Sequence, residues 1–193
     1  MSGRRTRADD APLLAWGDAL RAQTMRRARL GRRIAAVGIT TLVVLASAAL
    51  PPTPRFVWNA SASAPIGLYW VRPGADLKPG DMVVAQLPQG AAQMAARRRY
   101  LPLNVPLVKR VVAVAGDEVC ALGKDIFLNG RRIAERRHAD AQGRPMPTWS
   151  GCLRLRGRQL FLMMDASASF DGRYFGVTGG VDVVGKARLL WAR

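Results

Sequence analysis

Between Ile34 and Leu50 the chain runs seventeen residues without a charge. Arg32 and Arg33 stand directly before this run, and Pro51-Pro52-Thr53-Pro54 directly after it. As a helix, a segment of that length rises about 26 Å, slightly short of a hydrocarbon core of roughly 30 Å. Local thinning of the bilayer, or snorkelling of the two arginines, closes the difference. The prolines cannot continue a helix, so the segment is expected to stop there. Residues 1–33 carry nine arginines against three aspartates, an excess that holds a flanking segment on the cytoplasmic side. The chain therefore divides into an Arg-rich cytoplasmic head (1–33), a transmembrane anchor (34–50) and an exported remainder (51–193). A buried helix of a soluble protein could be equally apolar, but the arginine cluster speaks against it. Ala46-Ser47-Ala48 also fits a signal-peptide cleavage site, although 33 residues is long for the charged region of such a peptide. An uncleaved anchor is expected, and on either reading the C-terminal part is exported.

The whole chain has 193 residues and a formal net charge of +17. That length suits one domain with an appendage, and the apolar content is too high for a disordered basic tail. With one histidine and two cysteines, a tetrahedral zinc site would have to recruit carboxylates, so no metal and no other cofactor is expected. A Ser-His-Asp triad would depend on His138, which sits in the polar stretch Arg136-Arg137-His138-Ala139-Asp140. Such basicity raises the question of nucleic acid. The arginines beyond residue 50 are scattered, with Arg97-Arg98-Arg99 the only run of three, and no helix-turn-helix or aromatic RNA-binding motif is present. No nucleic-acid partner is expected; the basic surface instead suits anionic lipid headgroups.

Beyond the prolines the pattern is mainly β. Strands are expected at about 56–59, 68–72, 82–87, 107–114, 117–121, 125–134, 152–156, 159–164 and 181–191, with a short helix over Gln89–Tyr100. Asn129-Gly130 is a type I′ hairpin signal inside the sixth of these, and residues 138–150 form a polar, Pro-rich loop.

Three segments carry chemistry. In Asn59-Ala60-Ser61-Ala62-Ser63-Ala64-Pro65-Ile66-Gly67, two serines precede a Pro and a Gly that favour a turn. In Val108-Lys109-Arg110-Val111-Val112, a Lys-Arg pair interrupts an almost wholly apolar run. Strand alternation turns one of the two inward, and arginine is the harder to bury neutral. A lysine serving as a base near neutrality must fall about three units from ~10.4, at a cost of roughly 4 kcal/mol. Desolvation supplies such a shift, and a neutral amine can take the proton of a serine hydroxyl. The third segment, Asp165-Ala166-Ser167-Ala168-Ser169-Phe170-Asp171-Gly172-Arg173-Tyr174, offers a hydroxyl to orient the amine and an Asp-Arg pair to pin the loop. Alone, each pattern also suits an ordinary loop, a snorkelling edge lysine or a polar turn.

In this order the three segments resemble the type I signal peptidases, in particular the TraF-like conjugative transfer branch. The resemblance rests on Ser61-x-Ser63-x-Pro65-x-Gly67-x-Tyr69, on Val108-Lys109-Arg110-Val111-Val112 with Gly116-Asp117, and on Ser169-Phe170-Asp171-x-Arg173-Tyr174-Phe175-Gly176. Asn129-Gly130, Gly143-Arg144-Pro145 and Gly185-Lys186-Ala187 add to it, and it spans roughly 56–191. It implies a signal-peptidase-like β-sheet domain behind an N-terminal transmembrane helix. It also implies Ser63 as nucleophile, Lys109 as general base, and Ser61 with the Ser63 backbone N–H as oxyanion hole. Ser169 would aim the lysine, and Asp171 and Arg173 would form a structural pair. One residue rather than two separates Ser63 from Pro65, as suits the TraF branch. Gly172 stands where a serine is usual, which removes any role of that hydroxyl.

Cys120 and Cys152 suit an exported domain. A disulfide between them would close a loop of about 33 residues, worth on the order of 3–4 kcal/mol; a reactive free thiol is the alternative. The expected protein is a single-pass serine endopeptidase of a bacterial inner membrane with its catalytic domain in the periplasm. It would cut exported precursors, a prepilin-like substrate above all, after small residues, in contact with membrane lipids and other conjugative transfer components. Rival expectations are a non-catalytic envelope component of a transfer complex and a LexA-like self-cleaving protein, the latter opposed by the apolar span.

Overall fold

A computed structural model describes residues 11–49 and 55–193. The Pro51–Pro54 joint and the first ten residues of the Arg-rich head lie outside them. The helix and the β-rich part form two compact units dividing between Pro52 and Thr53.

The first unit is a single helix, α1 (Ala11–Ala49). It begins well before the uncharged run, because the arginine-rich stretch is composed largely of Ala, Leu, Arg, Met and Gln, all strong helix formers. Charge marks where the apolar segment starts but is no signal for where the helix starts. Within it, Trp16–Ser47 is long and apolar enough to cross a membrane. Two of its hydroxyls bond back to the helix, Thr40 Oγ1 donating to Ala36 O at 2.9 Å and Ser47 Oγ to Val44 O at 2.8 Å, as a hydrocarbon environment would demand.

The second unit runs β1 (Phe56–Asn59), β2 (Gly67–Arg72), β3 (Met82–Ala85), α2 (Gln89–Arg97), β4 (Leu107–Ala113), β5 (Glu118–Leu122), β6 (Asp125–Leu128), β7 (Arg131–Glu135), β8 (Gly151–Arg154), β9 (Phe161–Met163), α3 (Gly172–Phe175) and β10 (Val183–Ala192). The mainly β expectation holds. One sheet has the order β1-β2-β10-β3-β4-β9 and a smaller one β7-β6-β5-β8, and all the pairings are antiparallel. The single expected strand at 125–134 is a hairpin. Asn129 and Gly130 take φ of 49° and 79°, and Leu128 pairs with Arg131, the two-residue loop that Asn-Gly favours.

The helix expected to reach Tyr100 stops at Arg97 for a local reason. Arg99 adopts φ 59°, Tyr100 N donates to Ala95 O at 2.9 Å and Arg99 N to Ala96 O at 3.1 Å. This is a Schellman closure with an arginine in the left-handed position usually given to glycine. The stop buries Ala92 and Ala95 of α2 against Val83, Leu107, Val111 and Leu162. A second cluster around Tyr69, Val71, Val84, Val108 and Met164 packs the other part of the large sheet. A third, including Val119, Ile126, Leu155 and Phe161, joins the two sheets.

β10 returns to lie between β2 and β3, with a register shift between Leu189 and Trp191 where it meets β2. That bulge brings the Trp191 carbonyl against Gly67, where a Cβ would stand 2.0 Å from the oxygen. Gly67, at φ 157°, is therefore required by close backbone approach at the end of the two-serine loop.

Candidate active site

The loop between β1 and β2 is shaped by a residue that the motif reading passed over. Asn59, the last residue of β1 and buried, donates from Nδ2 to Ser61 O at 2.9 Å, Ala64 O at 3.1 Å and Pro65 O at 3.0 Å. Its Oδ1 accepts from Ser61 N at 3.1 Å. Tyr69 Oη also donates to Pro65 O, at 2.9 Å. One amide and one phenol thus satisfy most of the polar backbone of a tight loop that has no ladder of its own. The only sequence signal was an Asn two residues before the first serine, a common Asx-turn position.

Within that loop Ser61 Oγ and Ser63 Oγ are 3.0 Å apart, and Ser63 N donates to Ser61 Oγ at 3.4 Å. β4 brings Lys109 to the same point from across the sheet. Its Nζ lies 2.8 Å from Ser63 Oγ and 2.8 Å from Ser169 Oγ. Lys109 is 4% exposed and Ser169 2%. Three residues drawn from segments 46 and 60 positions apart therefore meet at one nitrogen.

The Ser169 loop is held from below. Asp171 and Arg173 are almost wholly buried and bonded to one another, with Arg173 Nη2 on Asp171 Oδ2 at 2.7 Å and Nε on Oδ1 at 2.9 Å. Arg173 also donates to Met164 O at 3.0 Å and Ala166 O at 2.7 Å, and Asp171 Oδ2 accepts from Met164 N at 3.1 Å. Both carboxylate oxygens of Asp171 and the Nε and Nη2 of Arg173 are bonded, as a buried ion pair requires, and the bonds fix both ends of the turn that presents Ser169.

This environment sets the charge of Lys109. Burial pushes its amine down to about 8, while the Asp171 carboxylate pulls it back up and the Arg173 guanidinium pushes it down again. Arg173 thus shields the lysine from a carboxylate that would otherwise hold it protonated. A neutral amine here has two N–H groups and one lone pair. With one N–H on Ser169, the lone pair is free to meet the Ser63 hydroxyl.

A cleft of about 440 Å³ opens beside Ser63, walled by Ala62, Ala64, Ile66, Met164 and Ala166. Arg110 and Asp165 also line it and are paired at 2.7 Å, with Asp165 largely exposed. His138 is exposed in its loop, and Ser63 bonds to Ser61 and Lys109 instead.

At Gly172 the missing serine has a structural counterpart. A Cβ there would stand 2.8 Å from Leu162 O and 2.8 Å from the Phe161 ring, so the space a side chain would need is already filled. Trp149 Nε1 donates to Gly172 O at 3.0 Å and meets Phe161 edge-on. Gly172→Ser should therefore displace Phe161 and lower stability by about 1–3 kcal/mol, the usual cost of overpacking; chemical denaturation measures it.

Cys120 and Cys152 are disulfide-bonded and stand opposite each other on β5 and β8. Among the described residues they form with Glu118 a group of metal-ligating type, but both sulfurs are committed to each other.

Residues 28–192 match the family model described as signal peptidase, peptidase S26, and the chain belongs to that family. Within it the similarity is to conjugation proteins. The chain is 34% identical over 146 residues to a plasmid transfer protein TraF of Escherichia coli, covering 69% of this chain and 82% of that one. It is 34% identical over 143 residues to a probable conjugal transfer protein TraF of Sinorhizobium fredii, covering 67% and 73%. Among solved structures a signal peptidase I of Enterococcus faecalis aligns at 17% identity and TM-score 0.35, over 58% of this chain and 97% of that one.

Proposed function

We propose that the chain is a membrane-anchored serine endopeptidase with Ser63 as nucleophile and Lys109 as general base. The observation that carries this reading is the Lys109 amine, buried and 2.8 Å from both Ser63 Oγ and Ser169 Oγ. Neutral Lys109 takes the Ser63 proton as Oγ attacks the scissile carbonyl. The developing oxyanion draws the Ser61 hydroxyl and the Ser63 N–H, which bond to each other in the free chain, onto itself. The Lys109 ammonium then gives its proton to the leaving amine. The acyl-enzyme is hydrolysed by a water that Lys109 deprotonates in turn. Ser169 keeps the amine aimed throughout.

The cleft beside Ser63 has Ala62, Ala64 and Ala166 in its wall, with Arg110, Asp165 and Arg193 also lining it, which suits an extended peptide with small residues flanking the cut. Relatives named for plasmid and conjugal transfer support an exported precursor in a conjugation apparatus, a prepilin-like protein, as substrate. The arginine excess supports a topology with residues 1–33 cytoplasmic, 34–50 as anchor and 51–193 periplasmic, in contact with inner-membrane lipids and other transfer components.

The test is cleavage of a precursor peptide by the purified full chain in detergent. With an amine titrating at about 8, roughly a tenth of Lys109 is neutral at pH 7. kcat/KM should rise about tenfold per pH unit below 8 and level off above it; a profile flat from pH 6 to 10 contradicts Lys109 as base. Ser61→Ala should lower kcat by 10²–10³ with little change in KM, the usual loss for one oxyanion donor. An unaltered kcat removes Ser61 from that role.

A further inference from the structure

The smaller sheet ends on a free edge. Among the described residues β8 pairs only with β5, and Gly151, Cys152, Leu153 and Arg154 are all exposed. The direction of its backbone groups follows from its neighbour in the chain: Leu155 N donates to Asp117 O, and Leu155 O accepts from Gly116 N. Antiparallel bonding alternates, so with Leu153 opposite Val119 and Gly151 opposite Ala121, these two residues turn their N–H and C=O toward β5. Cys152 and Arg154 turn theirs outward.

Across from β8 lies a second edge. Leu160 and Thr178 exchange both backbone bonds, at 3.0 and 2.9 Å, which extends the large sheet by one bridge beyond β9. By the same alternation Val177 and Gly179 point their backbone groups away from Leu160. Between the two edges is a slot of about 510 Å³, lined by Gly151, Cys152, Leu153, Gly176, Val177 and Gly179 and bounded also by Trp149. The slot is thus flanked by the outward backbone of Cys152 and Arg154 on one side and of Val177 on the other, where the Gly179 carbonyl already accepts from Asp182 N at 3.1 Å, with glycines on each wall that leave room for a main chain to approach. An exposed edge is ordinarily blunted by a cover or an inward-pointing charge; this one keeps Leu153 at 45% exposure, and Val181 beyond the opposite wall at 97%.

The charge around the slot is mainly basic, although Glu118 stands opposite Arg154 and beside Cys152 and the Asp182 carboxylate approaches Gly179. Arg154, Arg156 and Arg158 are exposed and alternate along the segment leaving β8, with no acidic residue between Gly151 and Leu160. We propose that this slot is a docking site for an extended, acidic segment of a partner protein, which would add as a strand to β8 and set its carboxylates against these arginines. A second copy of the chain is a poorer occupant, because each copy carries a formal +17. Strand addition supplies main-chain bonds, and the arginine row supplies the sign of the partner. The inference is independent of the peptidase reading.

The probe is a fluorescein-labelled decapeptide alternating Glu and Val, with a Lys-Val decapeptide as control, titrated against the full chain in detergent. The acidic peptide should bind, weaken with salt, and shift the amide resonances of Cys152, Arg154, Val177 and Gly179. Arg156→Glu with Arg158→Glu should weaken it at least tenfold. Arg154→Pro should do the same by removing one outward N–H while leaving the β5 bonds intact. The urea-unfolding midpoints of these variants, none of which touches Ser63 or Lys109, should match that of the unaltered chain, which shows that they fold. Equal binding of both peptides, shifts elsewhere on the surface, or affinity indifferent to the Pro and Glu variants overturns the proposal. So does a dimer, seen by sedimentation, that Arg154→Pro dissociates, since the second copy would then be the occupant.

Discussion

Lys109→Met should abolish precursor cleavage and at the same time remove a stability cost that the wild-type chain carries below pH 8. The loss of rate follows from the absence of any other base at Ser63, whose described side-chain partners are Ser61 and Lys109. Ser63→Ala should be as damaging, at least 10³ in kcat/KM, and the double variant no worse than either single one, because residues that act as a unit lose their effect together. The stability change comes from linkage. The folded amine titrates at about 8, below the ~10.4 of an unfolded lysine. Below pH 8 both states are protonated, and the folded state bears the full cost of a buried ammonium, about 3 kcal/mol at 1.36 kcal/mol per unit. Between pH 8 and about 10.4 the unfolded chain binds more protons than the folded one, so wild-type stability rises with pH through that window. The Met variant has no such rise. Its gain at pH 7 is reduced by about 1–3 kcal/mol, because the buried Ser169 hydroxyl loses its lysine partner, and Lys109→Met with Ser169→Ala should restore it. Denaturation of both proteins at pH 7 and pH 10 is the measurement. Parallel stabilities at the two pH values would mean that Lys109 is not depressed, and an active Lys109→Met would end the dyad.

The groups proposed to react were legible because each is a local anomaly. A Lys-Arg pair inside an apolar run and two serines ahead of Pro65 and Gly67 stand out against their own surroundings. Their support was harder to read. Asn59 does its work through the shape of a loop that closes only when β1 and β2 pair, and its one mark in the sequence is an Asx-turn position shared by many ordinary loops. The β6–β7 hairpin has a two-residue signal at Asn129-Gly130. The insertion of β10 between β2 and β3 joins residues about a hundred or more positions apart and has no local signature. Boundaries moved for identifiable reasons. α1 starts at Ala11 because helix propensity continues through the arginines, and α2 stops at Arg97 because Arg99 turns left-handed. The apparent defect at Gly172 became intelligible only with Phe161 in place, since a motif says which side chain is absent but not what occupies its room.

Arg173→Met should be strongly destabilising, by about 3–5 kcal/mol. It leaves the Asp171 carboxylate buried without its cation and strips two donors from the Met164 and Ala166 carbonyls. An apolar pair of similar volume costs much less than half of a broken ion pair, so Asp171→Leu with Arg173→Met should regain about 2 kcal/mol over Arg173→Met alone. Activity should not return with the stability. The pair also fixes the turn that carries Ser169, and Arg173 opposes the pull of Asp171 on the Lys109 amine. In Arg173→Lys, which keeps the charge but has one nitrogen where the guanidinium spans both carbonyls and the carboxylate, the fold should survive better than in Arg173→Met. The acid limb of the pH–rate profile should then move upward, because a less complete shield leaves Lys109 protonated to higher pH. A structural clamp alone would lower the amount of folded enzyme without moving that limb. A limb that stays near pH 8 in Arg173→Lys would therefore assign the pair to stability and deny it any part in setting the base.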